Sequence, residues 1–334
     1  MKALIYTGPN RLELCTAPDP VSLEGEVLVR VEAVGICGSD MHAYHGHDAR
    51  RPPPLILGHE AAGRIASGPR TGTRVTVNPL VTCGTCAACE AGRPHLCPSR
   101  QILSMPPRPG AFADLVRVPE CNLVVVPETF AVAHAALAEP VAVSYHAVNA
   151  GARLLDCPLP AARCLVLGGG AIGLAAALVL AMQGAAEIHV AEPHPGRRAT
   201  VARAGRFRCH APGETGEPAD GSIDLVIDAV GAAATRAAAS RLVRPGGVIV
   251  HAGLLPGMDG FDVRRITLQE IIVTGTYCYT PADFRATVDA LVSGRLGDLS
   301  WIEERDFDDA VAAFADMDAG RTAAAKIVLR LGAT

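Results

Sequence analysis

The sequence predicts an α/β chain in two parts, a β-rich first half followed by a doubly wound parallel sheet flanked by helices. Three observations carry that prediction. The 334 residues suffice for two domains at about 150 residues each. The texture changes near Ala142, from short strands amid Gly and Pro to strand candidates separated by Ala-rich helical stretches. A glycine-rich turn, Gly168-Gly169-Gly170-Ala171-Ile172-Gly173, lies directly between a strand candidate and a helix candidate.

In the first half, Val27, Val29, Val31 and Ala33 alternate with Leu28, Arg30, Glu32 and Val34, the period of a strand. Val75 and Val77, then 115–118 and 123–126, add further strands. In the second half, strands are expected at 164–167, 187–191, 223–228, 248–251 and 271–274. Pro245-Gly246-Gly247 marks a turn before one of them, and Pro281 opens a helix over 281–293. The tail, with a helix near 310–317 and an apolar strand at 327–331, is expected to return to the first domain.

Composition excludes several classes. Charged residues are 19% and balanced, 30 Lys+Arg against 34 Asp+Glu, so neither a disordered chain nor a basic nucleic-acid binder is indicated. Aromatics are 4% with one Trp, which leaves no stacking platform for single strands. The segment 164–186 carries no charge and is long enough to span a bilayer, but the glycine triplet breaks it into strand, turn and helix, so no membrane span is expected. The apolar stretch at the start ends at Gly8-Pro9, too short for a secretory signal, and a cytoplasmic protein is expected.

The turn from Gly168 fits G-x-G-x-x-G in its proper context. Gly168 permits the tight turn, Gly170 lets the backbone approach a pyrophosphate at the helix start beside Ala171 and Ile172, and Gly173 allows close packing of helix on strand. Glu192 ends the next strand, where a carboxylate accepts hydrogen bonds from adenosine ribose hydroxyls and repels a 2′-phosphate. NAD is therefore favoured over NADP, a preference softened by Arg197 and Arg198 close behind.

Eleven cysteines, an odd number unevenly placed, argue against a disulfide framework and for metal. Cys83, Cys86, Cys89 and Cys97 supply four thiolates on one loop, enough to close a tetrahedral zinc site with no position for water, hence a structural one. A second set is dispersed: Cys37 in Gly-Ile-Cys-Gly-Ser-Asp-Met-His, His59 and Glu60 in Gly-His-Glu, and Glu139 before Pro140. Spacing alone leaves open whether these meet or are separately a buried thiol, a satisfied histidine and a helix-start carboxylate.

Taken in order, these segments resemble the zinc-containing medium-chain dehydrogenase/reductase family, in its alcohol/polyol and sorbitol dehydrogenase-like branch, over almost the whole chain. The resemblance implies a GroES-like catalytic domain over 1–145 completed by 290–334, a Rossmann coenzyme domain over 146–289, a cleft between them, and homodimers or homotetramers. It makes Cys37 and His59 ligands of a catalytic zinc, with Glu60 and Glu139 competing for the remaining place, and Asp40 orienting His59. Ser39 and His42 match a proton relay, whereas His45 and His47 match nothing essential. Thr73 stands where Asp is common, and Cys278 stands where sorbitol dehydrogenases have Arg beside the tyrosine matched by Tyr279, which makes a polyol substrate less secure. Tyr44 is open between a pocket and a packing role.

The function expected is a zinc-dependent oxidoreductase passing hydride from a secondary alcohol or polyol to NAD and giving a ketone. A threonine-type amino-alcohol or aldehyde dehydrogenase is the alternative within the family. A non-catalytic nucleotide and zinc sensor is the alternative outside it, in which Ser39 and His42 would have no use. The expected partner is a small alcohol or ketone, with neither nucleic acid nor membrane.

Overall fold

In the computed structural model, which describes residues 1–332, the chain opens with an antiparallel hairpin of β1 (Lys2–Gly8) and β2 (Arg11–Thr16). The alternation around Val27 becomes β3 (Glu26–Gly35), with Val27, Val29, Val31 and Ala33 buried. It pairs antiparallel with β4 (Glu60–Ile65), which in turn pairs with β5 (Arg74–Val77). Between β3 and β4 lies the short helix α1 (Gly38–Tyr44). β6 (Leu115–Pro119) pairs with the first half of β3, and β7 (Leu123–Val125) with β5. The tight connection ahead of β5 turns at Gly68 and Gly72, both at positive φ.

Helix α2 (Ala138–Ala152) leads into the second sheet. This contains β8 (Arg163–Leu167), β9 (Glu187–Ala191), β10 (Arg208–His210), β11 (Ile223–Asp228), β12 (Val243–His251) and β13 (Ile272–Gly275). All pair in parallel in the order β10-β9-β8-β11-β12-β13, so the winding reverses between β8 and β11. That reversal leaves a crevice at the carboxyl ends of the strands. Helices α3 (Ala171–Met182), α4 (Pro195–Ala204) and α5 (Ala233–Leu242) form the crossovers. Leu174 to Leu180 on α3 are all buried, which explains why the sequence there is apolar on every face. Among the described residues no helix is long and apolar enough to cross a membrane. One local expectation changes: Pro245-Gly246-Gly247 lies inside β12 rather than before it, where the register with β11 shifts after Ile223.

After α6 (Pro281–Val292), the strands β14 (Ile302–Asp306) and β15 (Lys326–Arg330), with α7 (Ala310–Asp318) between them, return to the first sheet. β15 pairs with β3, giving the order β7-β5-β4-β3-β15-β14. Phe307, Phe314, Ile327 and Leu329 are buried in the first-half core, each burial worth about 1.5–3 kcal/mol. The boundaries drawn at 145 and 290 fall inside α2 and α6, which pack against each other, α2 also against β11 and β12.

Candidate active site

Register decides what meets at the end of β3. Gly35 pairs with Glu60 at the start of β4, and a Cβ on Gly35 would lie 2.0 Å from Glu60 Oε2. Glycine there is what lets the carboxylate lie over the strand. Cys37 caps α1 just beyond, and His59 precedes Glu60 after Gly58 in a positive-φ conformation. One ligand atom each from Cys37, His59 and Glu60 falls within 4.8 Å of the others.

Buried polar groups brace this cluster. Asp40 accepts hydrogen bonds from the amides of Cys37 (3.0 Å) and Gly58 (3.2 Å), and its Oδ1 lies 3.6 Å from His59 Nδ1. Burial disfavours its charge, yet His59 and Arg51 outweigh that and hold the carboxyl below the usual range. For His59, burial likewise opposes the charge, but Asp40 and Cys37 raise it well above the ordinary imidazole value.

The structure also brings in a residue the sequence reasoning missed. Lys326, at the start of β15, donates to Glu60 Oε1 (2.7 Å) and to the Ile36 carbonyl (2.9 Å), with both side chains buried. Glu60 Oε2 remains buried without a hydrogen-bond partner. The one available signal was a lone charge heading an apolar strand.

Glu139 enters on the first turn of α2 and accepts from the Tyr279 hydroxyl at 3.1 Å. Burial, reinforced by the nearby Glu60, lifts its pKa to about 7 against the pull of His59. Tyr279 is itself buried, so it supports Glu139 from behind. Ser39 and His42 lie three residues apart on α1; Arg51 donates to Ser39 Oγ at 3.4 Å. Burial, and then His47, hold His42 below the ordinary imidazole pKa despite Asp48. His45 pairs with Asp318, His47 is exposed, and Tyr44 packs on Phe314, the packing role left open above.

The four thiols of the lobe form a second cluster. Cys86–Cys89 and Cys97–Cys83 sulfur separations are 3.5 Å and Cys83–Cys89 is 3.9 Å. A tetrahedral zinc with bonds of about 2.3 Å requires sulfur separations of about 3.8 Å, so the cage has the right size.

At the glycine turn, Gly168 has φ 100, and a Cβ on Gly173 would strike the Gly168 carbonyl at 1.8 Å. Gly170 has open space where a Cβ would stand, ahead of an α3 start with no side-chain cap. Glu192 accepts from the amides of Gly169 (2.7 Å) and His194 (2.8 Å), which fixes the turn against β9. Arg197 is half-buried on α4, its amide bonded to His194. Farther along the strand ends, His251, Gly275 and Tyr277 line a cavity of about 500 Å³ with His95 and His146. None of the clustered ligands lines it; it extends the crevice.

Residues 23–128 match the alcohol dehydrogenase GroES-like domain and residues 171–293 the zinc-binding dehydrogenase domain. The chain is 31% identical to an L-galactonate-5-dehydrogenase of Escherichia coli K12, over 89% of this chain and 88% of that protein. It is 32% identical to a sorbitol dehydrogenase of Bacillus subtilis 168, over 88% and 86%. The chain belongs to the zinc-binding dehydrogenase family. Its fold is shared by an alcohol dehydrogenase of Escherichia coli CFT073 solved with NADH, at TM-score 0.88 and 26% identity over 99% of both chains. An alcohol dehydrogenase of Thermus sp. ATN1 gives TM-score 0.88 and 26% identity over 99% of this chain and 100% of that one. This dehydrogenase thus combines the GroES-like and Rossmann units expected from its sequence. It is an oxidoreductase of the alcohol-to-ketone type in a zinc-binding family, and solved neighbours of the same fold carry NADH or NADP.

Proposed function

We propose that Cys37, His59 and Glu60 hold the catalytic zinc, with a fourth position open to substrate, and that the substrate is a secondary alcohol of the polyol type. The carrying observation is the three-ligand cluster within 4.8 Å whose Glu60 oxygen is buried without a partner. Glu139, bonded to Tyr279, is then the second carboxylate facing the site rather than a direct ligand. Cys83, Cys86, Cys89 and Cys97 hold the structural zinc, and Gly168, Gly170, Ala171, Ile172, Gly173, Glu192 and Arg197 surround the coenzyme.

When bound, zinc polarises the substrate hydroxyl and NAD accepts the hydride from its carbon. The chain's own residues manage the proton. Ser39 Oγ receives it from the hydroxyl, and His42, held neutral by burial, takes it toward solvent. Asp40 keeps the His59 ring oriented, and Lys326 fixes one Glu60 oxygen so that the other faces the cluster.

We further propose a homodimer. β13 is the last strand of its sheet, and Ile272 and Val273 on it are exposed, as are Leu254, Met258, Val263 and Leu268 in the segments that lead to it. A second copy would pair with that edge. The four-thiolate lobe suits a reducing compartment, and the cytoplasm is the proposed location.

The test is NAD+ reduction by a panel of polyols, secondary alcohols and amino alcohols, with zinc content measured for Glu60→Gln and Glu139→Gln. Polyol turnover that a chelator abolishes, with zinc lost only from E60Q, is expected. Zinc lost only from E139Q, or turnover confined to amino alcohols, would overturn the assignment.

A further inference from the structure

Arg51 follows an exposed turn after α1, yet only 2% of it is exposed. Its donors reach three separate pieces of the first half. Nε donates to the Ser104 carbonyl (3.0 Å) and Nη1 to Asp48 Oδ2 (2.7 Å). Nη1 also donates to the Ser39 carbonyl (3.3 Å), and Nη2 to Ser39 Oγ (3.4 Å). Asp48, itself mostly buried, balances the charge. The ion pair and the two carbonyl contacts suffice to anchor a buried guanidinium. The contact with the Ser39 hydroxyl is not needed for that, and it ties the fork to the group expected to move the proton.

Ser104, at the other end of the fork, is fully buried at φ 68. A residue with a Cβ keeps that left-handed conformation only where its surroundings impose it. Its hydroxyl lies 3.4 Å from His59 Nδ1, and Asp40 Oδ1 lies 3.6 Å from the same nitrogen. Nδ1 is thus supported from two sides, which leaves Nε2 for the metal cluster. At Ser39 the chemistry of the donor matters. A guanidinium has donors and no acceptor, whereas a serine hydroxyl has one proton and two lone pairs. With Nη2 on one lone pair, the Ser39 proton cannot point at Arg51, and the second lone pair stays open. Among the described residues Ser39 Oγ has no other hydrogen-bond partner. The hydroxyl therefore has a set polarity, taking the proton of the alcohol on its open lone pair and passing its own outward. At 3.3 and 3.4 Å the Ser39 contacts are long, the usual state of such bonds before substrate draws them in.

We propose that Arg51 is a positioning residue for the reaction: one guanidinium sets the direction of the Ser39 hydroxyl and, through Ser104, the ring of His59. The proton-accepting group and the metal ligand thereby keep a fixed relation to each other. This rests on the dehydrogenase reading above.

The test has two readouts. Zinc affinity of the dispersed site, measured by chelator competition with the cysteine-lobe zinc counted separately, should fall ~10-fold or more in Arg51→Gln and in Ser104→Gly. Glycine is at home at φ 68, so the second variant removes the hydroxyl without endangering the fold. With zinc saturating and the alcohol best oxidised in the panel above, Arg51→Gln should lower kcat ~10-fold or more and leave the KM for NAD+ unchanged. Made in a Ser39→Ala background, the same substitution should lower kcat only a few-fold at most, because the hydroxyl it directs is gone. Arg51→Lys keeps a charge for Asp48 but not the fork, so it should recover thermal stability and not kcat; it replaces R51Q in both measurements if R51Q does not fold. Zinc affinity unchanged in either variant, a kcat loss of ~10-fold or more in S39A as well, or full recovery of kcat in R51K would overturn the proposal. If nothing in the panel is oxidised, the dehydrogenase reading fails separately. The zinc affinities then decide: weakening in both R51Q and S104G upholds the proposal, and wild-type affinity in either rejects it.

Discussion

Cys83, Cys86, Cys89 and Cys97 come from one lobe and meet with little help from the rest of the chain, whereas Cys37, His59 and Glu60 meet only because β3, β4 and β15 are in register. The first set is a local cage, and its thiols are spaced for a metal by the loop itself. The second is a product of the whole first sheet, including a strand from the far end of the chain. Damage to the local cage should therefore show as lost stability, and damage to the dispersed set as lost chemistry. Cys37→Ser should lower kcat/KM by at least ~1000-fold, remove one of two zinc ions, and leave thermal melting nearly unchanged. Cys97→Ser should also remove one zinc but lower the melting temperature while the folded fraction keeps most of its kcat. Metal analysis, melting curves and NAD+ reduction on both variants check this. If C97S silences turnover as thoroughly as C37S without lowering the melting point, the division of labour is wrong.

Lys326 gives the next largest effect, because it is the strut of the dispersed set. Its amine is buried against Glu60 and Ile36, and the charge survives because Glu60 and Cys37 offset its desolvation. In the zinc-free protein, Lys326→Met leaves the Glu60 carboxylate buried without its ion-pair partner, at a cost of about 3–5 kcal/mol in urea unfolding. The double variant K326M/E60Q should recover much of that loss, since the uncompensated charge is gone. Additive losses would show that Lys326 acts through packing alone.

The contrast between the two sets also marks what could be read from sequence. The cysteine lobe was legible from spacing, and the strand, glycine turn and helix at 163–182 from pattern, because each is a local signal. The meeting of Cys37, His59 and Glu60 was reached only through family resemblance, since strand pairing cannot be read from positions so far apart in the chain. Lys326 was not anticipated, because nothing local distinguishes a buried ion-pair lysine from an exposed one. Nor was the Tyr279 contact with Glu139, which depends on how α2 packs beside the segment ahead of α6. Pro245 to Gly247 was misplaced because a bulge inside a strand has the composition of a turn.

Asp40→Asn probes the bracing of the dispersed set more gently. The amide keeps the size of the carboxylate but removes the charge beside His59. Zinc affinity or kcat should fall by about 10–100-fold, with the cysteine-lobe zinc retained. Unchanged activity would mean that neither the charge of Asp40 nor its second acceptor oxygen, to which the Cys37 and Gly58 amides separately donate, is needed to hold His59 in place.

The smallest effect concerns the link between the two sets. Asp283 caps α6 through Thr280 and binds His146 at 2.8 Å. His146 lies on α2, the helix of Glu139, and its ring sits 4.9 Å from that of His95 in the cysteine lobe. Burial opposes the Asp283 charge, but the bonds from His146 and Thr280 prevail and bring its pKa from 3.8 down to about 2. A carboxyl whose pKa is depressed in the folded state stabilises the fold above its unfolded value and loses that contribution as pH falls. Asp283→Ala should thus cost about 1–2 kcal/mol near neutral pH, through the lost cap and the lost bond to His146. The gap from wild type should narrow as pH drops from about 4 toward about 2. Asp283→Asn keeps a capping acceptor and should recover part of the loss at neutral pH without that pH dependence. A gap that widens toward low pH would mean that this carboxyl is protonated in the folded protein, and that helix capping alone joins the segment carrying Tyr279 to the helix carrying Glu139.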